Sequence, residues 1–231
     1  MNPPLRSADH AAACLAALAD AEPLMGRLLQ YRFPTPGATD AESNGSGASD
    51  RLAGHAVGNL LIAAMAAIEG GDFEEGVRQM NRVLAVRGRV LPVSPTPLTL
   101  HARLRDGRTV DGQSAIARSS GIETVWLTPA EGPVSAEAIG EADVVVLGPG
   151  SLFTSVLPPL LLDPIRTALA ASRAVRIYVC NVATQVGETS GFDLADHVEA
   201  LVRIAGPGLL DAVLANSTVP GPGEAATEPV R

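Results

Sequence analysis

Lysine is absent from this sequence: all 17 basic residues are arginines. That excludes Schiff-base catalysis through a lysine amine and a phosphate loop built on a lysine, while fork-shaped arginine contacts to phosphate stay open. Cysteine is nearly absent. Cys14 and Cys180 are too few and too far apart for a disulfide framework or a Cys-based zinc site, and read as two buried free thiols in a reducing compartment. The longest apolar run, AVGNLLIAAMAAI, falls short of the roughly 20 residues that a membrane-spanning helix takes. Positive charge is in deficit, the net being −8, so neither nucleic acid nor an anionic membrane is expected as a partner. The early stretch AAACLAALA follows Asp9 and His10 and stops at Asp20. It does not read as a signal peptide, and the expected location is the cytoplasm.

What is present is a 231-residue chain with 46% hydrophobic residues, enough for one sizeable core. Alanine and leucine at helical spacing over residues 8–30 predict one or two helices. PTPGATDAESNGSGASD, from Pro34 to Asp50, predicts a mobile surface loop. A helix is expected from about Gly54 to Ile68, and another from Asp72, as N-cap, to about Val86. LTLHARL and RTVDGQSAI flank the turn Arg105-Asp106-Gly107-Arg108 and predict a hairpin over 98–116, with ETVWLTP as a further strand.

From residue 134 strands and helices alternate. VVVLG precedes a helix that opens on Asp163-Pro164, as N-cap and N1, and ends near Ser172. VRIYVCN precedes DLADHVEALVRIA, opened by a capping box of Asp193 and Asp196, and DAVLAN follows. Continuous apolar strands alternating with amphipathic helices specify an α/β fold with a doubly wound, mainly parallel sheet and an inserted β-hairpin. One domain over 1–216 is expected, with 217–231 as a flexible tail.

Ligands of open α/β sheets bind outside the carboxyl ends of the strands. Two loops fall there. In the first, Gly148 and Gly150 let a ligand approach the backbone, and the N–H groups of Gly150, Ser151 and Leu152 would point from a helix start. Ser151, Thr154 and Ser155 add hydroxyls, and Pro158 and Pro159 would end the short helical turn. A phosphate cradle and a plain strand-to-helix turn both fit this spacing. The second loop, CNVATQVGETSGFD, crowds Asn181, Thr184, Gln185, Glu188 and Thr189 beside a strand end, more polar side chains than turn formation needs. Glu188, its carboxylate, could bind a sugar hydroxyl, hold a metal or act as a base.

A third candidate is Gly54, His55 and Asn59, the last two placed on one helical face, though a structural histidine beside a packing glycine fits as well. His197 is expected to contact Asp193 or Asp196, and His10 and His101 have no convergent neighbours. No catalytic triad, Cys-His pair or tight metal-ligand spacing is present.

GHAVGNLLIAAM, RGRVLP, ADVVVLGPGSLFTSVLP and IYVCNVATQVGETSGFDLADHVEAL together resemble the gluconeogenesis factor family. That family belongs to the CofD-like superfamily, whose enzyme member is a 2-phospho-lactate transferase. The likeness runs from about residue 15 to Asn216. It implies a three-layer, Rossmann-like fold and a cytoplasmic bacterial protein concerned with gluconeogenic growth, cell-wall precursor supply and cell shape. It also implies binding of a UDP-sugar such as UDP-N-acetylglucosamine, with no established reaction, at Gly148–Ser155, at Asn181 and Thr184–Thr189, and at Gly54, His55 and Asn59. The chain departs from the family pattern in lacking its first strand and Gly-rich loop, an acidic segment after them, and a final strand and helix. Gln113 stands where the family usually has Glu.

Three readings remain open: a regulatory binder of a nucleotide sugar, a CofD-like transferase of a phosphate-bearing group, and an inactive fragment. No cofactor is expected, and Mg2+ enters only under the transferase alternative. A sheet edge left by the absent strand would allow self-association into a homo-oligomer.

Overall fold

The hairpin forms where the sequence places it. In a computed structural model describing residues 4–18, 23–34, 52–129, 136–218 and 228–230, Leu104 N–H donates to Arg108 O at 2.9 Å and Gly107 takes φ +86. Asp106 stiffens the turn by accepting from Arg108 N–H at 3.0 Å, and hydrogen bonds from Arg108 hold its carboxyl below the usual value. Most of the loop expected over 34–50 lies outside the described residues.

The chain divides into two compact units, Met1–Pro97 and Leu98–Arg231. Helices α1 (Pro4–Leu18), α2 (Pro23–Gln30), α3 (Val57–Ile68) and α4 (Phe73–Val83) build the first. Asp72 caps α4 as expected, accepting from Glu75 N–H at 3.0 Å. The helix stops before Val86 because Ala85 turns to φ +48, and Val86 N–H closes back on Asn81 O at 3.0 Å. Leu15, Ile62 and Val77 centre the core, each at most 1% exposed. Glycines set how close the helices come. A Cβ on Gly58 would sit 2.9 Å from Ala12 Cβ, and one on Gly76 would sit 2.7 Å from Ala66 N. Cys180 is buried but Cys14 is exposed, correcting that expectation: the inward stripe of α1 runs through Ala12 and Leu15, and Cys14 points elsewhere.

The second unit holds two sheets. Strands β1 (Thr99–Leu104), β2 (Thr109–Asp111) and β3 (Ile122–Thr128) form an antiparallel sheet in the order β2-β1-β3. The hairpin therefore pairs with β3, apart from the parallel sheet. Its second strand ends at Asp111 rather than near 116, because the short helix α5 (Gln113–Ile116) starts there, with Ile116 N–H returning to Gly112 O at 3.1 Å. After α6 (Glu137–Gly140) come β4 (Val144–Leu147), β5 (Val175–Val179) and β6 (Ala212–Leu214), parallel and in the order β4-β5-β6. Helices α7 (Leu157–Leu160) and α8 (Asp163–Ala171) lie on the first crossover, and α9 (Leu194–Ala205) lies on the second. Parallel strands joined by helices are the expected Rossmann-like α/β arrangement.

Two local expectations change. Pro158 and Pro159 do not stop the turn but lie in the first turn of α7, where a missing N–H costs nothing. The N-cap of α8 is the extended, buried Leu162, and Asp163 is the first helical residue, paired with Arg166 one turn on. The capping box of α9 is present, with Asp196 N–H on Asp193 Oδ1 and Asp193 N–H on Asp196 Oδ2, both 2.9 Å. Among the described residues no helix is long and apolar enough to cross a membrane.

Candidate functional site

Because β4 and β5 are parallel neighbours, with Leu147 paired to Tyr178, the loops that follow them leave the sheet side by side. Gly148 begins the first at φ +80, and a Cβ there would lie 2.7 Å from Val179 O, so the turn runs hard against the end of β5. Gly150 is clamped on both sides by Asn181, whose Oδ1 accepts Gly150 N–H at 3.1 Å and whose Nδ2 donates to Gly150 O at 2.8 Å. Ser151 Oγ accepts from Gln185 Nε2 at 2.9 Å. The chain then makes one wide turn of π type over Leu152–Val156, with Val156 N–H reaching Ser151 O at 3.0 Å.

The amides of this turn already hold an anion, and it belongs to the protein. Glu188 is 2% exposed, and its carboxylate accepts from Phe153 N–H at 2.6 Å, Thr154 N–H at 2.9 Å and Thr154 Oγ1–H at 3.3 Å. Burial pushes the Glu188 carboxyl above its usual range, while the hydrogen bonds from Phe153 and Thr154 pull it back. Glu188, expected to bind a sugar hydroxyl, hold a metal or act as a base, is bonded in this structure to the neighbouring loop. Thr154 faces the same interior, and its carbonyl accepts from Gln113 Nε2 at 2.9 Å.

The second loop is closed on itself and held from behind. Gln185 N–H donates to Thr189 Oγ1 at 2.9 Å, and Thr189 N–H returns to Gln185 O at 3.0 Å. Thr184 and Thr189 are buried. Thr184 N–H donates to Glu228 O at 2.7 Å and Val230 N–H to Val182 O at 3.2 Å, so Glu228–Val230 lie along the loop as a short strap. Residues 219–227 of the expected tail lie outside the described residues.

What remains open is specific. Among the described residues the amides of Ser151 and Leu152 have no hydrogen-bond partner, but Leu152 is fully buried and Ser151 only half-buried, while the amide of Gly150, also expected to be open, is taken by Asn181. Gln185 Oε1 is a buried acceptor with no donor. Val182 and Val186 stand exposed on the same loop, at 61% and 79%. Ser155 is half-buried, with its amide on Ser151 O at 2.9 Å.

Gly54, His55 and Asn59 lie in the first unit. His55 precedes Ala56, the N-cap of α3, so it shares no helical face with the buried Asn59, and the expected pairing is not formed. Its backbone bridges to Phe33 instead, with Phe33 N–H on His55 O at 3.1 Å and Gly54 N–H on Phe33 O at 2.9 Å. Gly58 serves α1 and α2 of the same unit.

His197 is fully buried and uses Nδ1 on the backbone oxygen of Asp193 at 2.7 Å, a structural contact. Phe192 packs edge-on against both Phe153 and His197, tying α9 to the π turn. His101 does have neighbours. The register sets Asp111 and Trp126 beside it, with Nδ1 2.6 Å from Asp111 Oδ1 and the ring stacked on the indole at 5.3 Å. Sequence spacing gave no sign of this trio, because strand register was not known. Among the described residues no three His, Cys, Asp or Glu side chains gather as a metal site would need.

The family described as 2-phospho-L-lactate transferase CofD matches residues 11–228. A protein of Halalkalibacterium halodurans named "Gluconeogenesis factor" is 45% identical over 204 residues, 87% of this chain and 59% of that protein. A Bacillus subtilis protein of the same name is 43% identical over 207 residues, 88% of this chain and 61% of the other. A Nostoc sp. relative is 45% identical over 212 residues, 90% of this chain and 43% of its own. The chain thus spans 43% to 61% of these three relatives' lengths. The crystal structure of a UPF0052 family member from Bacillus halodurans superposes with a TM-score of 0.82 at 40% identity, covering 95% of this chain and 70% of that one.

Proposed function

The chain belongs to the CofD family, and from that membership we propose that it binds a nucleotide sugar of the UDP-N-acetylglucosamine type. In this reading it acts in the cytoplasm on carbon metabolism, cell-wall precursor supply and cell shape, in line with relatives named gluconeogenesis factor. The observation that carries the proposal is Gln185 Oε1, a buried acceptor lacking a donor, on a side chain bonded to the half-buried Ser151, whose own amide has no hydrogen-bond partner among the described residues. Such a set suits a ligand bringing both hydroxyl donors and an anion. A diphosphate oxygen would accept from the Ser151 amide, a sugar or ribose hydroxyl would donate to Gln185, and Val182 and Val186 would cover apolar ring faces. Isothermal titration with UDP-N-acetylglucosamine tests it. Binding is expected, weakened on the order of tenfold in Gln185→Ala by loss of a hydrogen bond. No heat from folded wild-type chain would refute the proposal.

The family's description favours a second reading, a transferase of a phosphate-bearing group; such a transferase would call for a divalent cation such as Mg2+. The loops do not fit that cation: their carboxylate, Glu188, is buried on the Phe153 and Thr154 amides. Metal-dependent product formation from a nucleotide-diphosphate donor would establish this reading.

A further inference from the structure

We infer that Glu188 is a positioning residue whose charge is linked to ligand binding, so that an anionic ligand on the Gly148–Ser155 turn draws a proton onto Glu188. This rests on the anionic-ligand reading of the two loops given above. Phe153 and Thr154 amides bind the Glu188 carboxylate, and the amide of half-buried Ser151, two residues before them, has no hydrogen-bond partner among the described residues. Two anions on nearby amides of one turn compete for the same dipoles and repel one another. Glu188 is 2% exposed, so little water screens that repulsion.

Among the described residues no cation bonds the Glu188 carboxylate. Gln113 of α5 reaches Thr154 through a neutral amide, and Arg118 meets the loop by its backbone, against Gly187. From α9, His197 is separated from the turn by the Phe192 ring, which packs on Phe153. Tyr178 and Cys180, at the strand end, interact with each other. Among the described residues none of these groups bonds the Glu188 carboxylate, and its only partners are Phe153 and Thr154. Burial alone has already moved the carboxyl toward holding a proton. A second negative charge moves it further in the same direction.

The test is calorimetric titration of UDP-N-acetylglucosamine, whose pyrophosphate diester does not titrate near neutrality, into the whole chain in two buffers of different ionisation enthalpy. A pH series accompanies it. The expected wild-type result is a buffer-dependent heat showing uptake of a fraction of a proton. Affinity should rise as pH falls, approaching about tenfold per pH unit at most, the slope for one linked proton. Glu188→Gln keeps an oxygen for the Phe153 and Thr154 amides and removes the charge, so its heat should be the same in both buffers and its affinity flat with pH. A purely structural glutamate would not give this difference. Equal wild-type heats in the two buffers would overturn the inference and leave the binding proposal standing, as would proton uptake that persists in Glu188→Gln. Should that variant not fold, the two wild-type titrations decide alone. No heat from the wild type in either buffer would overturn both proposals together.

Discussion

Replacing Gly148 with alanine should damage the fold more than its size suggests. Gly148 sits at φ +80, where an L side chain costs about 1–2 kcal/mol. The added methyl would also lie 2.7 Å from Val179 O, closer than real Cβ atoms come, and 3.4 Å from the Tyr178 ring. Val179 cannot simply retreat. It pairs with Leu214 of β6, and the next amide, Cys180 N–H, donates to Leu214 O at 2.9 Å. Forcing a methyl into such packing costs a further ~1–3 kcal/mol. The total is about 2–5 kcal/mol, or a fall in Tm on the order of 5–15 °C for a chain of this length. Gly191→Ala separates the two causes, because Gly191 has φ +78 but open space around the missing Cβ. It should show the backbone cost alone, about 1–2 kcal/mol. Urea unfolding followed by far-ultraviolet circular dichroism measures both variants. If Gly148→Ala costs no more than Gly191→Ala, the crowding at Val179 O does not govern this turn.

Three further outcomes are expected. The carboxyl of Glu188 lies above its ordinary value of 4.5, so its contribution to stability is fully present below that value and is lost as pH rises through the raised one. Wild type should therefore lose stability relative to Glu188→Gln as pH climbs through that window, read as the difference between their melting curves. Asp193→Ala removes one side of the α9 capping box and should cost about 1–2 kcal/mol in urea unfolding, with a loss under ~0.3 kcal/mol contradicting the cap. Deleting residues 228–231 frees Thr184 N–H from Glu228 O, and its deuterium exchange should quicken about fivefold or more, the equivalent of one ~1 kcal/mol hydrogen bond. Unchanged exchange would show that the strap bears no load.

Local chemistry was legible in the sequence wherever a residue acts on its near neighbours. Asp72 and Asp193 announce their helices because a cap bonds an amide three residues on, and Arg105-Asp106-Gly107-Arg108 closes its own hairpin. Adjacency of the two site loops also followed, since consecutive parallel strands tend to pair. Long-range partners were hidden. Nothing around Glu188 foretells that it folds back on amides 34 and 35 residues away, and so a cradle drawn for a ligand turned out to be half filled from within. His101 looked isolated for the same reason, its neighbours Asp111 and Trp126 being supplied by strand register. Pro158 and Pro159 misled in another way. Proline blocks a helix from continuing yet suits its opening turn, and composition cannot tell which applies.

The strap has a practical side. Glu228 and Val230 grip the backbone of Val182 and Thr184, so the carboxyl end of the chain is wired to the loop that carries Gln185. An affinity handle, fluorescent partner or surface tether fused beside residues 228–230 would therefore sit against that loop. Binding measured with and without such a fusion is expected to differ if the strap transmits load to the loop.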